Sequence, residues 1–117
     1  MSESVFINCI DLPGTESMMA LNRIYIRDAN VALVVFSKTD RNSMAQAEKW
    51  VEELKEYGPS EMIICMCANK SDDTKKVAID YTESQTFAQK FPEICYFSEC
   101  SAKTKDNVTQ IFDKMAV

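Results

Sequence analysis

Three features of these 117 residues predict an α/β fold with a mostly parallel sheet and helices on both faces. Short, almost wholly apolar runs recur at Val31–Phe36, Met62–Cys67 and Ile94–Phe97, the pattern of strands covered on both sides. Amphipathic stretches of helical period alternate with these runs, as a parallel sheet with crossover helices requires. Polar turns follow the carboxyl ends of the strands at Asp11–Gly14, Ser37–Asp40, Asn69–Asp72 and Ser101–Lys103. In such sheets that is the edge where ligands sit. The length supports one domain, residues 1–117.

Each element has a local reason. Val5–Ile10 is β-branched and aromatic and ends at Asp11-Leu12-Pro13-Gly14, a strand feeding a turn. Met18–Ala29 is a mixed segment with an irregular helical pattern. After the strand Val31–Phe36, Asn42 is positioned to cap a helix Ser43–Tyr57 whose buried stripe is Met44, Ala47, Val51 and Leu54. Gly58-Pro59 stops that helix. The strand Met62–Cys67 leads into the polar loop Asn69–Lys76. Thr82-Glu83-Ser84-Gln85 has capping-box spacing and opens a helix that buries Phe87, Ala88 and Phe91. After Ile94–Phe97 and the polar segment Glu99–Asp106, Asp106 is positioned to cap a last helix carrying Val108, Ile111, Phe112 and Met115.

Composition excludes several function classes. Eighteen acidic residues against 13 basic ones give a net charge of −5, and nucleic-acid binding needs the opposite balance. Neither long apolar run is long enough to span a bilayer, and the start of the chain carries no secretory pattern. The end, FDKMAV, shows no prenylation cysteine or basic tail, so no direct membrane anchor is expected in these residues. No histidine is present, which removes Ser-His-Asp and Cys-His catalysis. The five cysteines (Cys9, Cys65, Cys67, Cys95 and Cys100) are an odd number without an export signal. They are expected to be free thiols in a reducing, cytosolic compartment, packing mainly as small hydrophobes.

Three motifs then occur in a fixed order: Asp11-Leu12-Pro13-Gly14, Asn69-Lys70-Ser71-Asp72, and Ser101-Ala102-Lys103 preceded by Glu99-Cys100. Together they resemble the DxxG, NKxD and SAK motifs of the Ras-like small GTPases, most closely the Rab branch that directs vesicle traffic. Tyr25-Ile26-Arg27-Asp28-Ala29, Trp50-Val51-Glu52-Glu53-Leu54 and Asn107-Val108 to Ile111-Phe112 are also similar to Rab text, and Ala45–Trp50 is similar to the early-endosomal Rabs. The resemblance covers nearly the whole chain. It implies a P-loop NTPase-type fold that is incomplete here, a guanine-nucleotide switch with GTP or GDP as ligand, and Mg²⁺ as cofactor. It also implies regulators and effectors of the Rab type as partners, with a cytoplasmic location and endosome association in a full-length form.

The chemistry asked of these residues is specific. Guanine offers two adjacent donors, N1–H and its exocyclic amine, and the carboxylate of Asp72 can accept both. Adenine presents an acceptor at N1 instead, and a site built for paired hydrogen bonds rejects such a mismatch by roughly 10⁴–10⁵. By resemblance, Asn69 serves the N7 side of the purine and braces the loops, and Lys70 lays its methylene stem along the base. The Ala102 N–H donates to guanine O6, with Lys103 supporting that loop, and Ser101 of the same motif counts among the nucleotide-binding residues. Asp11 helps hold Mg²⁺ through a water, and Gly14 offers its N–H to the terminal phosphate. Thr15 stands where most of the family has the glutamine that orients the attacking water, and it is too short for that task. No catalytic residue is assigned.

The family also places a first strand, a phosphate loop of the form GxxxxGK followed by Ser or Thr, the first switch and a second strand ahead of the segment matched by Val5. With only two glycines, Gly14 and Gly58, these residues contain no such loop. Losing even four charge-assisted hydrogen bonds at about 1.5 kcal/mol each removes roughly 6 kcal/mol of nucleotide affinity. Hydrolysis by these residues alone is not expected, because phosphoryl transfer depends on positioning and electrostatics that the loop supplies. The remaining strands are expected to form a four-stranded sheet with Val5–Ile10 its least secure member, and an exposed strand edge predicts self-association. The alternatives to a nucleotide switch are a non-catalytic interaction module that keeps the scaffold and a truncated fragment without independent activity.

Overall fold

A computed structural model describes residues 10, 19–70, 79–105 and 107–116. The strand expected at Val5–Ile10 (Ile10 apart), the Asp11–Gly14 turn, Thr15, Ser71, Asp72 and the Asp106 cap lie outside the described residues. The order of elements is α1 (Met19–Arg27), β1 (Val31–Ser37), α2 (Arg41–Tyr57), β2 (Ile63–Asn69), α3 (Tyr81–Gln89), β3 (Ile94–Glu99) and α4 (Val108–Ala116). Among the described residues the sheet is three-stranded and parallel, in the order β1-β2-β3. The expected fourth strand falls on residues outside that set, and Ile10 itself is exposed and extends no strand.

Alternation along the strands sorts side chains to two faces. Val34 and Phe36 of β1 join Ile64, Met66 and Ala68 of β2 beneath Ile26 of α1, Ala47, Val51 and Leu54 of α2, and Phe87 and Ala88 of α3. The Phe87 ring stands edge-on to both Phe36 and Phe91, at 5.7 and 5.3 Å between centroids. Cys67 points to the opposite face, where Leu33, Tyr96 and Cys100 meet Ile111 and Met115 of α4. Helices therefore lie on both faces, and β2, buried on each side, is the centre of the described sheet. Val35, on the second face of the outer strand β1, is 52% exposed.

The helix starts differ from the sequence expectations. Asp40, not Asn42, caps α2, its carboxylate accepting the Asn42 N–H at 2.9 Å. The reason lies in Ser43, whose hydroxyl accepts the Ser37 N–H at 2.8 Å and donates to the Asp40 carbonyl at 2.6 Å. Those bonds sew the first helical turn to the end of β1, so the helix begins earlier. Asp80, not Thr82, caps α3 by accepting the Glu83 N–H at 2.8 Å. The Glu83 carboxylate pairs with Arg41 of α2, at 2.5 and 2.9 Å. Strands β2 and β3 each run two residues further than their apolar cores, because parallel pairing continues through Ser37↔Asn69 and Ala68↔Glu99. The segment expected to be irregular before β1 contains a regular helix, α1.

Gly58 ends α2 as expected, its N–H donating to the Leu54 carbonyl at 2.9 Å. Glycine is required there by close approach: a Cβ would sit 2.6 Å from the Leu54 carbonyl oxygen and 2.7 Å from the Met62 methyl. Helices α1 and α2 are joined by Arg23, which donates from Nε and Nη2 to the two Glu53 carboxylate oxygens at 3.0 Å each and lies 4.1 Å from the centre of the Tyr57 ring. The hydrogen bonds from Arg23 hold the Glu53 carboxyl below the usual range, outweighing the upward push of burial. A depressed folded value means that this stabilisation is present above the unfolded value of roughly 4.3 and is lost as pH falls through the folded one. Stability in urea is therefore expected to drop from about pH 6 to about pH 3, with a shallower drop in Glu53→Gln. Glu83, lowered in the same way by Arg41, should keep the slope from vanishing.

Candidate functional site

The parallel register brings the carboxyl ends of all three strands to one edge. Asn69 is the last residue of β2 and pairs with Ser37 of β1, and Glu99 ends β3 opposite Ala68. The next residue, Lys70, adopts φ 66°, in the left-handed region that a branched or bulky residue avoids. That turn stops the strand and leaves the Lys70 side chain exposed.

The second loop is anchored from below. The Cys100 N–H donates to the Ala68 carbonyl at 2.9 Å, extending the sheet by one bond past β3. Ser101 is fully buried, and its hydroxyl accepts the Thr104 N–H at 3.1 Å, which closes a tight turn over Ala102 and Lys103. Both of those residues are exposed. Asn107, at φ 62°, donates from Nδ2 to the Glu99 carbonyl at 2.9 Å and fastens the far end of the loop beside α4. Asparagine tolerates that conformation better than most side chains do.

The two loops meet through one side chain. The Ala102 N–H donates to Asn69 Oδ1 at 3.1 Å, and Cys100 Sγ lies 3.9 Å from the same oxygen. The structure thus brings Asn69, Lys70, Ser101, Ala102 and Lys103 to one edge of the sheet, while Asp72, Asp11 and Gly14 lie outside the described residues. The donor that resemblance assigns to guanine O6 is engaged by Asn69 here.

Beneath the loops lies an ion pair that the sequence did not reveal. Lys38, 7% exposed, follows β1 and reaches Glu99 with Nζ 2.5 Å from Oε2. Its N–H donates to the Asn69 carbonyl, and its own carbonyl accepts the Ile79 N–H, each at 3.0 Å. Lys38 therefore ties the ends of all three strands together and positions Asn69 from its backbone side. In sequence it was one charge in a polar turn, and nothing local pointed to a partner on β3. A groove of about 420 Å³ between α3 and β3, lined by residues that include Tyr81, Phe91 and Cys95, includes none of these loop residues.

The cysteines depart from their expected state as free, core-packing thiols. Cys67 and Cys100 are joined by a disulfide, with Cα atoms 6.5 Å apart, inside the usual range for a bridge. Parallel pairing sets Cys67 beside Ser98, and the turn after Glu99 carries Cys100 back over Cys67. A separation of 33 residues hides that proximity in the sequence. Cys65 does match the expectation of a buried free thiol, and burial pushes its pKa up. Cys95 is exposed, next to the irregular register between Ile64 and Cys65.

Comparison with known proteins agrees with the motifs. The model of the Ras family matches residues 1–117. The chain is 39% identical over 108 residues to the Ras-related protein RABF2b of Arabidopsis thaliana, which covers 91% of the chain and 52% of that relative. It is 35% identical over 106 residues to the Ras-related protein Rab5 of Nicotiana tabacum, covering 91% of the chain and 52% of the relative. It is 32% identical over 116 residues to the Ras-related protein Rab-17 of Mus musculus, covering 98% and 53%. The chain thus spans about half the length of these curated relatives.

Proposed function

The chain belongs to the Ras family, and from that premise we propose that it is a Rab-like guanine-nucleotide-binding protein acting as a switch in vesicle traffic. The observation that carries the proposal is the hydrogen bond from the Ala102 N–H to Asn69 Oδ1, which couples the two loops that would hold the base. Asn69 Nδ2 and the Ala102 N–H are donors suited to the N7 and O6 acceptors of guanine, and Asp72 completes the set as acceptor on the N1 and amine edge. Lys70 supplies an exposed stem for one face of the base, and the buried Ser101 and the exposed Lys103 flank Ala102.

GTP or GDP is the proposed ligand. For Mg²⁺ the assignment rests on Asp11, with Gly14 at the terminal phosphate, and the described residues contribute no cluster of three acidic or cysteine side chains. No step is therefore routed through the metal. Regulators and effectors of the Rab type and endosome association belong to the same proposal, supported by the Rab-named relatives. Among the described residues no helix is long and apolar enough to cross a membrane. Self-association is also proposed, supported by half-exposed Val35 on the outer strand β1. Light scattering should then show a mass above the monomer that rises with concentration, and a constant monomer mass would refute it.

The experiment for ligand binding is a titration of the chain with fluorescent GDP, with fluorescent ADP as control, with and without Mg²⁺. Saturable binding of GDP but not ADP is expected. Equal binding of both, or none at high micromolar concentration, would overturn the base site. The second reading, a non-catalytic interaction module on the same scaffold, is favoured by Thr15 at the water-orienting position and by the absence of a GxxxxGK sequence from these residues. Nucleotide hydrolysis in the presence of an activating protein separates the two, since the module has none.

A further inference from the structure

The disulfide and the loop contact are stacked. Cys67 lies two residues before Asn69, and Cys100 two residues before Ala102. The covalent link Cys67–Cys100 and the hydrogen bond Ala102 N–H to Asn69 Oδ1 therefore join the same two segments, one directly behind the other. We propose that Cys67 and Cys100 are a reversible thiol–disulfide switch that closes the base-recognition loop when oxidised and frees it when reduced. The proposal rests on the reading of Asn69 and Ala102 as the base site for its ligand, though not for its redox chemistry.

The direction follows from who donates to Asn69 Oδ1. In the disulfide, Cys100 Sγ carries no proton, so its 3.9 Å approach to that oxygen is only a contact and the Ala102 N–H is the donor. The bridge also holds the backbone of Cys100 against β2, which keeps Ala102 seated on Asn69. Reduction gives Cys100 an S–H that can donate to Asn69 Oδ1 from its present place, and it removes the tether. Without the tether the Ala102 N–H can exchange Asn69 Oδ1 for a carbonyl oxygen of a ligand. The exposed turn at residues 102–105 lets the loop lift without disturbing the sheet beneath it.

The step closes chemically with a low-molecular-weight disulfide such as oxidised glutathione. The thiolate of Cys100, the less buried of the two residues, attacks one glutathione sulfur and displaces the first glutathione thiolate. The Cys67 thiol loses its proton to solvent and attacks Cys100 Sγ, forming the internal bond and releasing the second glutathione. Two electrons pass from the protein to glutathione, and reduction runs the same path backwards. Cys65 is a poor competitor, being buried and held protonated, and Cys95 lies at the other end of β3.

The test equilibrates the chain with mixtures of reduced and oxidised glutathione and takes three readings. Mass spectrometry after alkylation should show the Cys67–Cys100 bond forming and breaking reversibly. Hydrogen exchange across residues 100–105 should be roughly tenfold slower in the oxidised form. Fluorescent GDP should bind roughly tenfold more weakly to the oxidised form, because the Ala102 donor is engaged. Cys100→Ser should lose all three dependences, and Cys95→Ser should keep them. Failure of the bond to form at any ratio, or its formation without a change in exchange, would overturn the switch. A redox-dependent exchange in a chain that binds GDP in neither state would support the switch and overturn the base-site reading instead.

Discussion

Replacing Asp72 with Asn is expected to weaken GDP binding by roughly 10²–10⁴-fold and to remove the preference for GDP over ADP. The magnitude comes from two hydrogen bonds to an ionised acceptor, each worth about 1.5–3 kcal/mol. The sign comes from geometry. A carboxylate offers two acceptors to the two neighbouring donors of guanine, whereas a carboxamide offers one acceptor and turns an N–H toward the other donor. Adenine, which presents an acceptor in that position, loses the repulsion it met from Asp72 and should bind no worse than before. The check is the fluorescent GDP and ADP titration on both chains, with the urea midpoint as control for folding. An unchanged GDP-to-ADP ratio would mean that the base is read elsewhere.

The second large effect concerns Lys38. Lys38→Met removes the cation from a pair whose side chains are 9% and 19% exposed and strands the Glu99 carboxylate beneath the loop. Breaking a buried pair from one side costs about 3–5 kcal/mol, and the partial exposure of Glu99 places this case near the lower end. The double change Lys38→Met with Glu99→Leu should recover most of that loss, because the cost is the abandoned charge more than the lost attraction. Urea unfolding of the three variants closes a double-mutant cycle. A single-variant cost below about 1 kcal/mol would show that water compensates Glu99, and that Lys38 is no strut for the site.

Both predictions lean on residues whose visibility differed. Asp72, which lies outside the described residues, was nominated by its motif, because Asn-Lys-x-Asp followed by Ser-Ala-Lys one strand later keeps its spacing in a linear string. Lys38 was not, because its partner is set by the register of two parallel strands and not by any local spacing. The same distinction explains the helix caps. The sequence suggested Asn42 and Thr82 from their own neighbourhoods, whereas Asp40 caps α2 because Ser43 is bonded to the end of β1, and Asp80 caps α3 by taking the Glu83 N–H.

Local periodicity alone determined the strand–helix alternation, the parallel sheet and the stop at Gly58, and the motifs carried the resemblance to the family. Those depend on short-range periodicity and on motifs that survive being read one residue after another. Tertiary structure alone decided that Cys67 meets Cys100, that Lys38 meets Glu99, and that the Ala102 N–H rests on Asn69. Each of these pairs joins segments far apart in the chain, and parallel strands meet only after a crossover has brought them side by side. Their partners follow from register and burial, which no stretch of sequence contains by itself.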